Sequence, residues 1–522
     1  MKLPAPGCLA ATCAAALAAQ QGPVPLAQAL PARTRQVVVL HDPVLAPLKL
    51  QALQGRLHAR VSALALLGPE FALPKLPKPA GGVARVTLDR GAVLFLATDA
   101  AALAEKLEAL PADGGWRFYH QGKGYLLGAR RGWSVVADES RQTAWAEALR
   151  PGAGPVVAPL DDVLDQGDLA VWGADPARAA EALDALAPFP VPEAFRALLA
   201  VASRDSRDAA LSLALDPSGD ALLVMAGRPK PDLEAVLPGL GRAEAWGLAD
   251  LPPRPWSLAM GGCLPPRWLG AFAELRAWRP EHLPPALDRA LDAAQREVTG
   301  FGLLRSALPE PEALRLDTRD REAFRDALAR AAATSVPAGG EGAKTALASL
   351  DAGRVEDRDA FTLNLPDPDQ GPLGTRAIPF LQSGDRGWRV GPVAEGPGLS
   401  GVLTEDEALR EAAGRLPSGA AFYAFENPRA LWLAEARRLN EEREGLDPDL
   451  RDRCPVEPEP PEAPPFGLAV AFQADRWTFT CSLPAATQLA LARHDAGREK
   501  GRGGARRAAL EEQQARLARG KQ

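Results

Sequence analysis

What most restricts the folds open to this chain is an order of local signals that occurs twice. Between Leu88 and Ala137 the sequence reads as a buried strand (Ala92 to Ala97), a helix starting at Asp99, and then short strands carrying Trp116, Tyr125 and Trp133. The Asp99 carboxylate suits a helix N-cap, where it accepts bonds from backbone N–H groups without a helical partner. Leu103, Leu107 and Leu110 share one helical face, and Pro111 stops the helix. The turns that follow are too short for parallel crossovers, so the strands pair antiparallel.

The same features return downstream. Asp320 caps a second helix, with Phe324 and Leu328 in the places of Leu103 and Leu107. Arg131-Gly132-Trp133-Ser134-Val135 reappears as Arg386-Gly387-Trp388-Arg389-Val390, the tryptophans 255 positions apart (133 to 388). Asp175-Pro176, with proline where a first helical turn tolerates it, reappears as Asn427-Pro428 after the apolar run Ala421 to Phe425. Alternating Leu211, Leu213 and Leu215 reappear as Leu468, Val470 and Phe472. The caps Asp99 and Asp320 stand only 221 apart (99 to 320), which places an insertion in the second copy, at the Gly- and Ala-rich run Pro337 to Gly353.

The expected fold class is therefore α+β. Two tandem related units, each an antiparallel sheet with packed helices, are joined by a helical segment rich in proline and tryptophan. The boundaries expected are a signal peptide over 1–29, an N-terminal helix and linker over 30–82, a first repeat over 83–236, a helical connection over 237–305, a second repeat over 306–490 and a basic flexible tail over 491–522. Within these, Gln36 to Leu40 is strand-like, Leu48 to Leu67 carries helical spacing, and the aromatics Trp256, Trp268, Phe272 and Trp278 cluster with Leu275 and read as core. Leu211 to Leu215, the turn Asp216-Pro217-Ser218-Gly219 and Ala221 to Ala226 read as a hairpin.

The N-terminus has the build of an export leader: Lys2, an apolar run from Cys8 to Ala19, and small-residue sites for cleavage after Ala18, Ala19 or Ala29. Beyond it, Arg, Asp or Pro interrupts every apolar run before the ~18 residues a membrane-spanning helix needs. Cys263, Cys454 and Cys481 remain, an odd number for an oxidising compartment. Cys454 and Cys481 are the pair that could bridge a proline-rich loop. The net charge of −6 argues against a general nucleic-acid binder. The basic stretch from Arg493 to Gln522 holds no aromatic residue on which a base could stack, and a solvated end is the reading preferred over an adhesive one.

Motifs that carry chemistry fail on inspection. Gly339-Gly340-Glu341-Gly342-Ala343-Lys344-Thr345 lacks the glycine before the lysine of a phosphate loop and follows no apolar strand. Asp367-Pro368-Asp369-Gln370-Gly371 lacks the later ligands of a calcium loop. Gly122, Gly124 and Gly128 lie between strands and serve turns, and Gly398-Leu399-Ser400-Gly401 is no nucleophile elbow. His41, His58, His120, His282 and His494 show no metal-ligand spacing. Asp161, Asp162 and Asp165 could do acid–base work but read better as a solvated helix end. No catalytic, cofactor-binding or metal residue is assigned from the sequence.

The leader, Leu88-Asp89-Arg90-Gly91 before a buried strand, Asp99 with its helix, the strand at Gly132-Trp133 and Asp175-Pro176 with its helix together resemble a loose family of exported proteins of high-GC bacteria, a domain of unknown function. The resemblance covers most of the chain as architecture. It implies a periplasmic or cell-envelope α+β protein and supplies no catalytic residue. The function expected is non-enzymatic binding or scaffolding for a protein, peptide or lipid of the envelope, without a cofactor. The alternatives are a hydrolase of envelope polymers with acids from separate loops, and a structural spacer.

Overall fold

The structure is a computed structural model that describes residues 24–56, 82–152, 160–175, 193–235, 256–269, 285–306, 313–333, 348–355, 357–367, 374–383, 387–390, 406–499 and 502–519, with single positions between them. The chain divides into two compact units, one of Met1–Val191, Ala202–Glu234 and Ala474–Thr478, the other of Pro192–Val201, Ala235–Gln473 and Phe479–Gln522. Both combine helices with antiparallel sheet, so the class is α+β.

The first unit is built on ten strands: β1 (Gln36–Leu40), β2 (Val83–Leu88), β3 (Gly91–Leu96), β4 (Leu110–Ala112), β5 (Gly115–His120), β6 (Lys123–Arg130), β7 (Trp133–Asp138), β8 (Leu169–Gly173), β9 (Ser206–Leu215) and β10 (Ala221–Pro229). Their order across the sheet is β10-β9-β8-β1-β2-β3-β7-β6-β5-β4, every neighbour antiparallel. Residues 30–82 were expected to lie outside the repeat, yet β1 sits within this sheet, pairing β2 on one edge and β8 on the other. Val37 to Leu40 are all buried, which is why they form an unbroken apolar run rather than an alternating one.

One sheet face carries Val37, Val86, Phe95, Trp133 and Val135 against the helix Gln142–Leu149. The other carries Leu94, Leu96, Leu127 and Val136 against Leu103 and Ala104 of the helix Ala100–Lys106, capped by Asp99, which accepts from Ala102 N at 2.8 Å. Leu26, Ala29 and Leu30 belong to the first of these cores. Trp133 Nε1 donates to Val24 O at 2.8 Å, and Arg130 donates to Ala29 O and Leu30 O at 2.5 and 3.1 Å. The β9–β10 hairpin turns at Asp216, whose Oδ1 accepts from Gly219 N and Asp220 N.

The second unit has β11 (Trp256–Cys263), β12 (Val298–Ser306), β13 (Ala313–Thr318), β14 (Ser349–Val355), β15 (Arg358–Pro366), β16 (Thr375–Ser383), β17 (Gly387–Val390), β18 (Phe422–Glu426), β19 (Phe466–Phe472) and, from Phe479 onward, β20 (Trp477–Leu483). The order is β20-β19-β18-β11-β12-β13-β17-β16-β15-β14. Residues 237–305, expected to be a helical connection, supply two of these strands. The run Trp256-Ser257-Leu258-Ala259-Met260-Gly261-Gly262-Cys263 hides its strand character behind glycines. A Cβ on Gly262 would stand 2.2 Å from Ala421 O, so close approach of the backbones excludes any side chain there. Helix does occur at Pro266–Leu269 and Pro285–Gln295.

Asp320 accepts from Glu322 N and Ala323 N at 2.9 and 3.0 Å, ahead of the helix Arg321–Ala333. Asn427 likewise caps the helix Pro428–Glu444. Residues 349–353, assigned to an insertion, lie in β14, whereas 337–347 fall outside the described residues, as do 57–67 and the helix expected after Asp175. The C-terminal segment, expected to be a flexible tail, contains helices over Ala485–Glu499 and Arg502–Arg519. Ala509 packs with Leu446, Leu450 and Cys454, and Arg516 pairs with Asp449, Asp447 and Glu512. Cys263, Cys454 and Cys481 are free thiols, so the Cys454–Cys481 bridge is absent.

Trp133 and Trp388 are both buried, the latter edge-on to Phe361 at 4.7 Å. Either one changed to Ala should cost about 3–5 kcal/mol, against about 1 kcal/mol for Asp99→Ala or Asp320→Ala. Urea midpoints check this; equal, small losses for tryptophans and caps would contradict the assignment.

Candidate functional site

At one end of the first sheet, five segments converge on a cleft of about 440 Å³: Ala32 to Arg35 ahead of and entering β1, Asp89 at the β2–β3 turn, Trp172 and Ala174 at the end of β8, Arg207 and Asp208 at the start of β9, and Arg228 near the end of β10. Backbone bonds extend the sheet into this region. Arg35 N donates to Thr87 O at 2.8 Å, and Ala174 N donates to Arg35 O at 2.9 Å.

The cleft holds four arginines and two aspartates. Asp208 is 2% exposed. A buried carboxylate is tolerated only when paired and hydrogen-bonded, and here three donors meet it. Arg228, its cross-strand partner in the β9–β10 ladder, donates from Nε to Oδ1 at 2.6 Å and from Nη2 to Oδ2 at 2.5 Å. Trp172 Nε1 donates to Oδ2 at 3.1 Å. With both oxygens committed, Asp208 is arranged to orient Arg228 rather than to move protons.

Across the cleft, Arg35 Nε donates to Asp89 Oδ1 at 2.6 Å, and the Arg35 guanidinium holds the Asp89 carboxyl below the usual carboxylate range, with Arg33 and Arg90 adding to the effect. Arg207 pairs with Glu234 at 2.6 Å, both half exposed, and Arg33 stands 3.9 Å from Glu147. A guanidinium has five N–H groups, and the hydrogen-bonded contacts of Arg228, Arg35 and Arg207 use one or two of them each. The site is thus a set of oriented cations suited to planar anions.

Of the residues singled out in the sequence only Asp89 lines this cleft, and none of the candidate chemical motifs does. Asp162 pairs with Arg476 at 2.5 Å, and burial raises the Asp165 carboxyl. Gly122 turns the chain between β5 and β6, while Gly124 and Gly128 lie within β6. His41 bonds Leu164 O at 2.7 Å, and His494 stacks on Trp432. Asp367 N bonds Gly374 O. The glycine-rich run 339–345, residues 368–371, Ser400, His58 and His282 lie outside the described residues. Among the described residues no group of three or more His, Cys, Asp or Glu is placed to hold a metal. One signal for the cleft was present in the sequence: counting outward from the Asp216 turn sets Asp208 opposite Arg228.

In the second unit, burial pushes the Glu426 carboxyl at the end of β18 up to about 7, against the pull of Arg305. Burial, with Glu426 adding to it, pushes the Cys481 thiol up to about 12, which keeps it unreactive.

No protein-family model matches the chain, and no curated protein does. Two solved structures, crystal forms III and IV of TP0453, are similar to it at 10% identity and a TM-score of 0.23, over 42% and 41% of this chain and 88% and 84% of those chains. At that TM-score the likeness transfers neither fold nor chemistry.

Glu426 makes stability depend on pH with a definite sign. The unfolded chain ionises near 4.5, whereas the folded protein keeps the proton up to about 7, so the native state binds more protons in between. Stability should fall by about 3 kcal/mol as pH rises through that window and then level off. Urea unfolding at pH 5 and pH 8 should show this slope flattened in Glu426→Gln; an identical slope in the variant would contradict the burial.

Proposed function

We propose that this is an exported, non-enzymatic binding protein of the cell envelope, and that the arginine-lined cleft of its first unit takes an anionic ligand. The observation that carries the reading is Arg228, fixed by a buried carboxylate that an indole N–H also holds, at the wall of a cleft of 440 Å³, a size usual for small-molecule sites. Donors held in place before binding lose little entropy when an anion arrives.

We infer further that the two units descend from one copied α+β segment. In support, the order of the second sheet is that of the first with ten added to each strand number. The register agrees as well: Trp172 opposes Ala210 as Phe425 opposes Gly467, and Leu169 opposes Leu213 as Phe422 opposes Val470, with constant shifts of 253 for β8 to β18 and 257 for β9 to β19. The extra length of the second copy lies in the meander, where β14 has seven residues and β4 three. Those shifts set Pro464 and Pro465 at the places of Arg207 and Asp208. The β1 to β11 shift of 222 (36 to 258, facing Gly173 and Glu426) sets Ser257 at the place of Arg35. The second copy thus has no arginine at the places of Arg35 and Arg207.

Export is supported by the leader-like N-terminus and by the resemblance to exported proteins. Burial of Leu26, Ala29 and Leu30 in the core supports cleavage of the proposed leader after Ala18 or Ala19 over cleavage after Ala29; N-terminal sequencing of the exported form tests this, and a mature chain starting at Leu30 would contradict it.

Titration calorimetry of the full chain with citrate at low ionic strength tests the binding. Heat of binding should appear, weaken with added salt, and fall about tenfold or more in the Arg35→Gln, Arg207→Gln double variant. No citrate binding, or binding unchanged in that variant, would contradict the reading.

A further inference from the structure

The cleft has two ends, and their charges match. Arg33 and Arg35, on the segment entering β1, share one end with Asp89; Arg207 and Arg228, on β9 and β10, share the other with Asp208. Each end thus counts two arginines against one aspartate. Between them lies the end of β8, where Trp172 and Ala174 form a floor with no charged side chain. β8 pairs with β1 on one edge and β9 on the other, so the two ends are separated by two strand spacings, about 10 Å at ~4.8 Å each.

The arginines on the rim also touch acids. Glu234 pairs with Arg207 in an exposed contact, and Glu147 stands beyond hydrogen-bond reach of Arg33 at 3.9 Å. Exposed pairs of this kind hold weakly and exchange partners at small cost. Arg228 differs, being clamped by the buried Asp208, while the exposed Arg35 holds Asp89 through Nε, which leaves its two Nη groups outside that bond.

On the reading that the cleft binds anions, we propose that its ligand is an elongated dianion, with one carboxylate or phosphate at each end and an uncharged middle lying over Trp172 and Ala174. A single anionic group reaches one arginine pair only. A ligand of the right span engages both, and its second contact is made without a second loss of translational freedom.

The test is a calorimetric series of α,ω-dicarboxylates, from succinate through adipate and suberate to sebacate, on the full chain at low ionic strength. Octanoate serves as the single-ended probe of suberate's length. Affinity should pass through a maximum near suberate or sebacate, at least about tenfold above octanoate. Arg35→Gln and Arg207→Gln should each bring suberate down to the octanoate level, while leaving the thermal unfolding midpoint within a few degrees of the parent. Both substitutions are at exposed side chains, which avoids stripping Asp208 of its partner. Octanoate or succinate binding as tightly as every longer diacid would overturn the two-ended ligand while leaving anion binding in place. Failure of citrate and of every diacid to bind would overturn both.

Discussion

The first unit depends on a five-residue strand that has no free edge. β1 pairs residue by residue with β2, from Gln36 opposite Thr87 to Leu40 opposite Val83, and with β8, from Gln36 opposite Gly173 to Leu40 opposite Leu169. Nearly every backbone group of β1 is thereby committed in a setting where an unpaired one is costly. The partners lie some 47 and 133 positions away in sequence, so the loop-closure entropy must be recovered by packing. Burial of Val37 and Val39 among Val86, Phe95 and Trp172 supplies it. β11 occupies the corresponding place in the second unit, between β12 and β18.

That arrangement also creates the cleft. Because β1 lies between β2 and β8, the entry to β1, the β2–β3 turn and the exit of β8 meet at one sheet end, where β9 begins and β10 finishes. Five segments from Ala32 to Arg228 each contribute a side chain. Taking Asp208 out of water is expensive, and its pair with Arg228 offsets that cost only because geometry and hydrogen bonding are nearly complete. A buried ion pair is weak support for stability, so its worth here lies in fixing where one guanidinium points.

Much of the fold was legible where one local rule sufficed. The caps Asp99, Asp320 and Asn427, the turn at Asp216 and the buried Trp133 and Trp388 each follow from a few neighbouring residues. What escaped were elements decided by distant partners. Taken locally, the run that forms β1 reads as a prelude to the first repeat because its partners come later. β11 and β12 were hidden because Gly262 and Gly300 answer to approaching backbones: a Cβ on Gly300 would come 2.8 Å from Gly262 O. The C-terminal helices were missed because Arg516 finds its acids at residues 447 and 449, far upstream. Of the cleft, only the Asp208–Arg228 pair can be counted out from a local turn; Arg33, Arg35 and Arg207 are ordinary surface residues until the sheet brings them together.

Hydrogen exchange followed by mass spectrometry tests the shared central-strand architecture most directly. If both units are organised around such a strand, amides of Gln36–Leu40 and of residues 258–262 should exchange slowest in their units, opening only with the whole unit, while β4 and β14 at the opposite edges exchange fastest among the strands. Central peptides exchanging as fast as those edges would contradict the account.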